Sequence, residues 1–211
     1  ETEARGRKYF GAKIIPATGA WIEIETEPDE VIYARIDRRR KFPVTALLRV
    51  LADLGGRPSG TADLLAAFSD QSAAADLQAT LGRDHNQGAE SAYLYIYKHL
   101  RDSDLATVVN AREFIQNLFS RARYDLSVVG RVRFNRRFHK PATATEREER
   151  TLTFDDLVTI VAKIISLNND KTARGDDIDH LGLRRIRCVG EMFQQRLRVG
   201  MLQMKRNIQD K

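Results

Sequence analysis

Near the end of the chain, Ile186, Val189, Phe193, Leu197, Met201, Met204 and Ile208 fall three or four positions apart. Strand side chains alternate every two residues, so this spacing fits a helix with one apolar side and nothing else of comparable length. Arg184, Arg187, Glu191 and Arg198 lie on the other side. The prediction is a long amphipathic helix with a basic face. Its stripe should be buried, with Ile186, Val189 and Phe193 as anchors.

The opposite end of the chain carries the other period. Residues 12–16 and 20–26 read as strands; Ile22 and Ile24 alternate with Trp21, Glu23 and Glu25. A third strand from Val31 to Asp37 places Ile32, Ala34 and Ile36 on one face, and Pro28-Asp29 supplies a turn before it. Together these predict a small antiparallel sheet. Helical spacing takes over afterwards. Pro43 suits a first helical turn, Leu47, Leu48, Leu51 and Leu54 form a stripe, and Gly55-Gly56 ends the helix. Residues 55–88 read as two short helices with loops. Tyr93, Ile96, Tyr97 and Leu100 recur at helical spacing, as do Ala111, Phe114, Ile115, Leu118 and Phe119 behind a Thr107 cap. Residues 139–150 carry no apolar period and read as an exposed connection. Thr153 caps a helix over 154–167, with Asp155 and Asp156 in its first turn and Leu157, Ile160, Val161, Ile164 and Ile165 as its stripe. The fold class is therefore α+β: mostly α-helical, with a small N-terminal antiparallel sheet and a long amphipathic helix at the end. The chain opens on Glu1 rather than methionine and stops straight after that helix, which reads as an excised piece of a longer protein.

Composition narrows the function classes. Hydrophobic residues make up 42% and charged residues 30% of 211, enough for a sizeable core. No apolar run is long enough to span a bilayer, so no membrane role is expected. A single cysteine, Cys188, forbids an internal disulfide and fits a cytoplasmic location. Lys and Arg number 35 against 29 acids. The basic residues cluster in RIDRRRK at 35–41, in RVRFNRRFHK at 131–140, and from Arg184 to Lys211, where the acids are Glu191 and Asp210. Three clusters point to a polyanion partner, against the alternative of a solvated surface.

Candidate chemistry is sparse. Asp176, Asp177, Asp179 and His180 form the densest polar group. One reading is an Mg²⁺ site beside a phosphate-binding helix, which would make a metal-dependent phosphoesterase. The other is a solvated acidic loop complementing a helix N-terminus. The histidines lack zinc-ligand spacing, and Cys188 has no His–acid partner, so it reads as a structural thiol. Two readings stand for Trp21. Its strand face makes the ring accessible for stacking on an unpaired base; alternatively it covers the edge of the core.

DDIDHLGLRRIRCVGEM at 176–192, FQQRLRVGMLQMKR at 193–206, RYDLSVVGRVRFNRR at 123–137, RIDRRRKFPVTALLRVL at 35–51 and AKIIPATGAWIEIE at 12–25 resemble the bacterial RNA polymerase β subunit family, in the family's order. The resemblance covers about half the chain. It implies that residues 1–182 form the β lobe and that 183–211 form a helix leading into the adjoining protrusion domain. It implies a DNA-clamping role in a nucleotidyltransferase, lining the downstream DNA cleft and holding a non-template base. By motif alignment it assigns Trp21 to stacking, Asp179 to the base edge, and Arg101 and Arg184 to base or backbone; Arg187, Arg38 and Arg39 are further backbone contacts. Implied partners are the non-template strand, downstream duplex, other polymerase subunits, σ factor and transcription regulators. No catalytic residue and no cofactor are expected here, because the family's Mg²⁺ is held by another subunit. The sequence departs from the family at 55–88, and HLRDSD at 99–104 stands where many relatives have an Arg-Pro-Gly run. An interaction module for initiation factors is the alternative function; the phosphoesterase is a third.

Overall fold

Alternation of core-facing and outward-facing side chains builds the sheet. The computed structural model describes residues 2–4, 6–68, 71–101, 106–140, 149–182, 184 and 186–210. Most of the connection read at 139–150 lies outside the described residues, as do Leu183 and Arg185. The chain divides into two compact units, 1–174 and 175–211.

In the first unit, β3 (Gly11–Ile14), β4 (Ile22–Thr26), β5 (Ile32–Ile36) and β6 (Phe42–Pro43) form an antiparallel sheet in sequence order, with Lys13 opposite Glu23 and Glu23 opposite Arg35. Ile22, Ile24, Ile32, Ala34, Ile36 and Phe42 face the core. A separate hairpin of β1 (Thr2–Ala4) and β2 (Arg7–Tyr9) precedes the sheet and has no counterpart in the sequence reading. Pro43 ends β6 and stands just before α1 (Val44–Leu54) rather than inside its first turn.

Helix α1 is the centre of the unit. Every residue from Val44 to Ala52 is buried, Thr45 and Arg49 included, so the stripe read from the leucines widens to the whole circumference. A buried arginine must be paired. Arg49 lies 3.5 Å from Asp84 and donates to Ser59 O and Thr61 Oγ1 at 2.7 and 2.9 Å; Asp84 also accepts from Thr45 Oγ1 at 2.6 Å and Asn86 Nδ2 at 2.6 Å. This network ties α1 to the segments flanking α2 (Thr61–Ala66) and α3 (Gln71–Arg83). Helix α4 (Ala89–Leu100) packs on α1 and on α5 (Val108–Leu118), which Thr107 caps as expected.

Helix α6 (Ser127–Arg137) occupies the second basic cluster, where no helix was expected. Its buried anchor is an arginine: Arg131 donates to Asp156 at 2.7 Å, to Glu149 O at 2.6 Å and to Thr151 O at 2.5 Å. Asp156 also closes a capping box with Thr153 at the start of α7 (Phe154–Asn169), whose predicted stripe is buried throughout. Part of the expected polyanion charge is thus neutralised by acids of the same chain, while Arg38, Arg39, Arg40, Arg136 and Arg137 are exposed. Arg131 is buried and Lys140 pairs with Asp156, while Arg35 and Lys41 pair with sheet glutamates.

In the second unit, a loop leads into α8 (Val189–Gln209). The helix is long and amphipathic, as predicted. Its stripe is not buried: Ile186, Val189, Phe193, Leu197, Met201, Met204 and Ile208 are all exposed. Periodicity fixes which side is apolar, whereas burial needs a second surface, and the described residues supply none for these side chains.

Candidate nucleic-acid interface

Trp21 immediately precedes β4 and is half-buried; it belongs neither to the core nor to the side chains packed on it. Both ends of its segment are fixed. Behind it, Thr18 and Asp125 exchange backbone hydrogen bonds at 3.1 and 2.8 Å. Gly19 sits between them with φ +123°, and a Cβ there would lie 2.7 Å from Arg123 O. Only glycine lets the loop lie this close to the corner between α5 and α6. Asp125 in turn accepts from Ser127 N–H at 2.7 Å and Arg150 Nε at 2.9 Å. Ahead of it, Asp37 N–H donates to Trp21 O at 2.8 Å.

That bond sets the turn leaving β5. Asp37 and Arg38 both have positive φ, 50° and 58°, and Arg39 N–H donates to Ile36 O at 3.0 Å. Two consecutive left-handed residues make the tight hairpin turn usually built from Asn-Gly. Holding an arginine there is unfavourable by roughly 1–2 kcal/mol. The turn places the Arg38 guanidinium 5.7 Å from the Trp21 ring centroid, and Lys13 Nζ of β3 lies 5.6 Å from the same centroid. Both are cation–π distances.

The rest of this sheet face is charge-balanced. Glu23, only 8% exposed, pairs with Lys13 at 2.6 Å and with Arg35 at 3.9 Å; Arg35 also reaches Glu25, and Lys41 pairs with Glu27. Lys41 Nζ sits 4.6 Å over the Tyr33 ring, whose hydroxyl donates to Asp29; burial first, then Asp29, pushes the Tyr33 phenol above its usual value. The unbalanced positive charge collects at Arg38, Arg39 and Arg40, which are exposed and form no ion pair among the described residues.

Of the residues assigned from sequence, the structure brings Trp21 and Arg38 together; Arg39 follows in the same turn. Arg101 ends α4, exposed, with its guanidinium 4.9 Å over Phe114, which meets Tyr97 edge-on. Among the described residues no hydrogen bond, ion pair or ring contact joins Arg101 to Trp21. In the second unit, Asp179 and Arg184 approach to 3.9 Å, both exposed. Asp177 Oδ1 accepts from the N–H groups of Asp179 and His180 at 3.1 and 3.2 Å, so the acidic run is a self-bonded turn. Arg187 is exposed just before α8. Among the described residues, no three His, Cys, Asp or Glu converge closely enough to hold a metal. No helix among them is long and apolar enough to cross a membrane. Lys13 and Gly19 are missing from the residues singled out by sequence. The signal for Lys13 was its register opposite Glu23, which requires knowing the length of the 15–20 loop.

A half-buried indole with Lys13 of β3 on one side and Arg38 of the turn after β5 on the other can stack on a flat π system and hold an anion beside it. The family model described as RNA polymerase Rpb2, domain 2, matches residues 2–187. DNA-directed RNA polymerase subunit beta of Chloroflexus aggregans is 39% identical over 231 aligned residues, covering 98% of this chain and 19% of that protein. The same-named subunit of Dehalococcoides mccartyi is 39% identical over 96% of this chain and 16% of its own length, and that of Streptomyces coelicolor is 35% identical over 97% and 18%. The chain thus spans less than a fifth of these curated relatives. Matched from its first strand to the loop before α8, the chain belongs to the RNA polymerase Rpb2 domain 2 family and is a domain of an RNA polymerase β subunit.

Proposed function

We propose that residues 1–182 are the lobe of the β subunit, one wall of the cleft that holds downstream DNA, and that Trp21 stacks on one unpaired base of the non-template strand. The observation that carries this is the half-buried Trp21 with Lys13 and Arg38 at cation–π distance from its ring. An indole accepts any base face, and the neighbouring cations suit the phosphates on either side. Arg38, Arg39 and the exposed Arg101 are backbone contacts in this reading, with Asp179 accepting from a guanine edge and Arg184 and Arg187 beside it. Nucleotide transfer belongs to the assembled cytoplasmic polymerase, to which this domain contributes grip.

A second reading, docking of protein, draws on a different surface. The exposed stripe of α8 exceeds anything a solvated helix needs. In our reading, residues 183–211 lead into the protrusion and bury that stripe within the polymerase, while σ factor and regulators meet the outer surface of the domain.

The stacking role is tested by Trp21→Ala in the whole polymerase. Loss of about 1–3 kcal/mol of stacking should shorten the lifetime of open promoter complexes at least about fivefold, or alter pausing. Wild-type values for both would sink the role.

A further inference from the structure

We propose that Lys13 is a second nucleotide contact at the Trp21 platform, meeting the phosphate of the nucleotide whose base lies on the ring, and that Glu23 holds it in place; this rests on the stacking reading above. Lys13 leaves β3 directly across from Glu23, and its ammonium is 2.6 Å from Glu23 Oε1 and 5.6 Å from the Trp21 centroid. Half-exposed, it still presents donor capacity to solvent, since an ammonium has three N–H groups and Glu23 takes one direction. Glu23 is nearly buried and also faces Arg35 of the other neighbouring strand at 3.9 Å, which restricts its carboxylate. The ammonium is therefore held at cation–π distance from the ring instead of ranging over the surface. Arg38 approaches the ring from the turn that follows β5, the strand on the other side of β4. A base stacked on the ring has its sugar-phosphate running past one edge, and cations on both flanks meet it whichever way the strand runs.

The arrangement has an internal opposition that gives it a signature. Glu23 orients Lys13 but also repels phosphate. Neutralising Glu23 while keeping its shape should tighten binding; removing the Lys13 charge should weaken binding and, specifically, lower its salt dependence. A merely structural lysine would leave the salt slope untouched.

Trp21 is the sole tryptophan of the chain, so its emission reports the site directly. The experiment titrates the 211-residue chain with a single-stranded oligothymidylate across a salt series, following Trp21 quenching. Lys13→Met should keep the quench at saturation but reduce the slope of log affinity against log salt by about 0.7, one phosphate's worth for single strands, and Lys13→Arg should restore it. Glu23→Gln should bind about two- to threefold tighter at low salt, the size of one unit charge acting across several ångströms of water. An unchanged slope in Lys13→Met, or Glu23→Gln binding no tighter than wild type, overturns the proposal while the quench leaves the stacking reading standing. No quench in the wild type, with Trp21→Ala retaining full affinity for a fluorescein-labelled oligothymidylate, overturns both.

Discussion

Helices α7 and α8 obey the same spacing rule and meet opposite fates. Along α7, Leu157 and Val161 are 0% exposed and Ile164 is 2% exposed; along α8, Val189, Phe193 and Leu197 are 76%, 68% and 55% exposed. Their ends differ too. Thr153 and Asp156 cap α7 reciprocally, and Asp156 is anchored further by Arg131 and Lys140, whereas Cys188 offers α8 no side-chain cap. An apolar stripe states that a helix has a side to hide; tertiary context decides whether it is hidden. The comparison breaks most easily at α7. Leu157→Ala should lower stability by about 3–5 kcal/mol, through lost transfer energy and the cavity left behind. Urea unfolding would show it as a lower midpoint at unchanged slope, and a loss below ~1 kcal/mol would mean that α7 is no better packed than α8.

The next largest effect tests how firmly the platform is tied to the folded unit. Gly19→Ala forces a Cβ against Arg123 O at a φ that side chains rarely adopt. The cost should be roughly 1–3 kcal/mol, and the loop must lift from Asp125 to relieve it. Because Trp21 follows two residues later, its emission should shift together with the urea midpoint. A destabilised chain with wild-type emission would show that the Asp125 contact does not position the indole.

These two helices and this loop also show what the sequence made legible. Residues whose partners are close in sequence, or whose burial follows a simple period, were readable: β4 and β5 by alternation, α7 by its stripe and cap, Thr107 by its position. Helix α6 was not, because its anchor is Arg131, which any apolar template counts as surface; the same holds for Arg49 in α1. The β1–β2 hairpin has strands of three residues, too short for a period. At the site, alternation left two readings for Trp21, an accessible ring or one covering the core edge, and the residue is half-buried. Lys13 and the left-handed turn of Asp37 and Arg38 did not, since one depends on strand register and the other on backbone angles that neither residue type favours. Positive charge was legible by cluster but not residue by residue: Arg35 and Arg131 neutralise acids of this same chain while Arg38 and Arg39 stay exposed.

The smallest expected effect is the sharpest test of the contrast. Leu197→Ala on α8 should change the stability of the 211-residue chain by no more than about 0.5 kcal/mol, because the side chain is already in water. Alanine is also at least as good a helix former as leucine, so no propensity penalty masks the result. The same substitution in the complete β subunit should behave as Leu157→Ala does here, if the stripe packs inside the polymerase. Urea titration of the two proteins side by side therefore separates the cost of the residue from the cost of its surroundings. A loss of several kcal/mol already in the short chain would mean that the stripe is covered in solution, by another copy or by a rearranged helix, and a concentration-dependent midpoint would identify the copy.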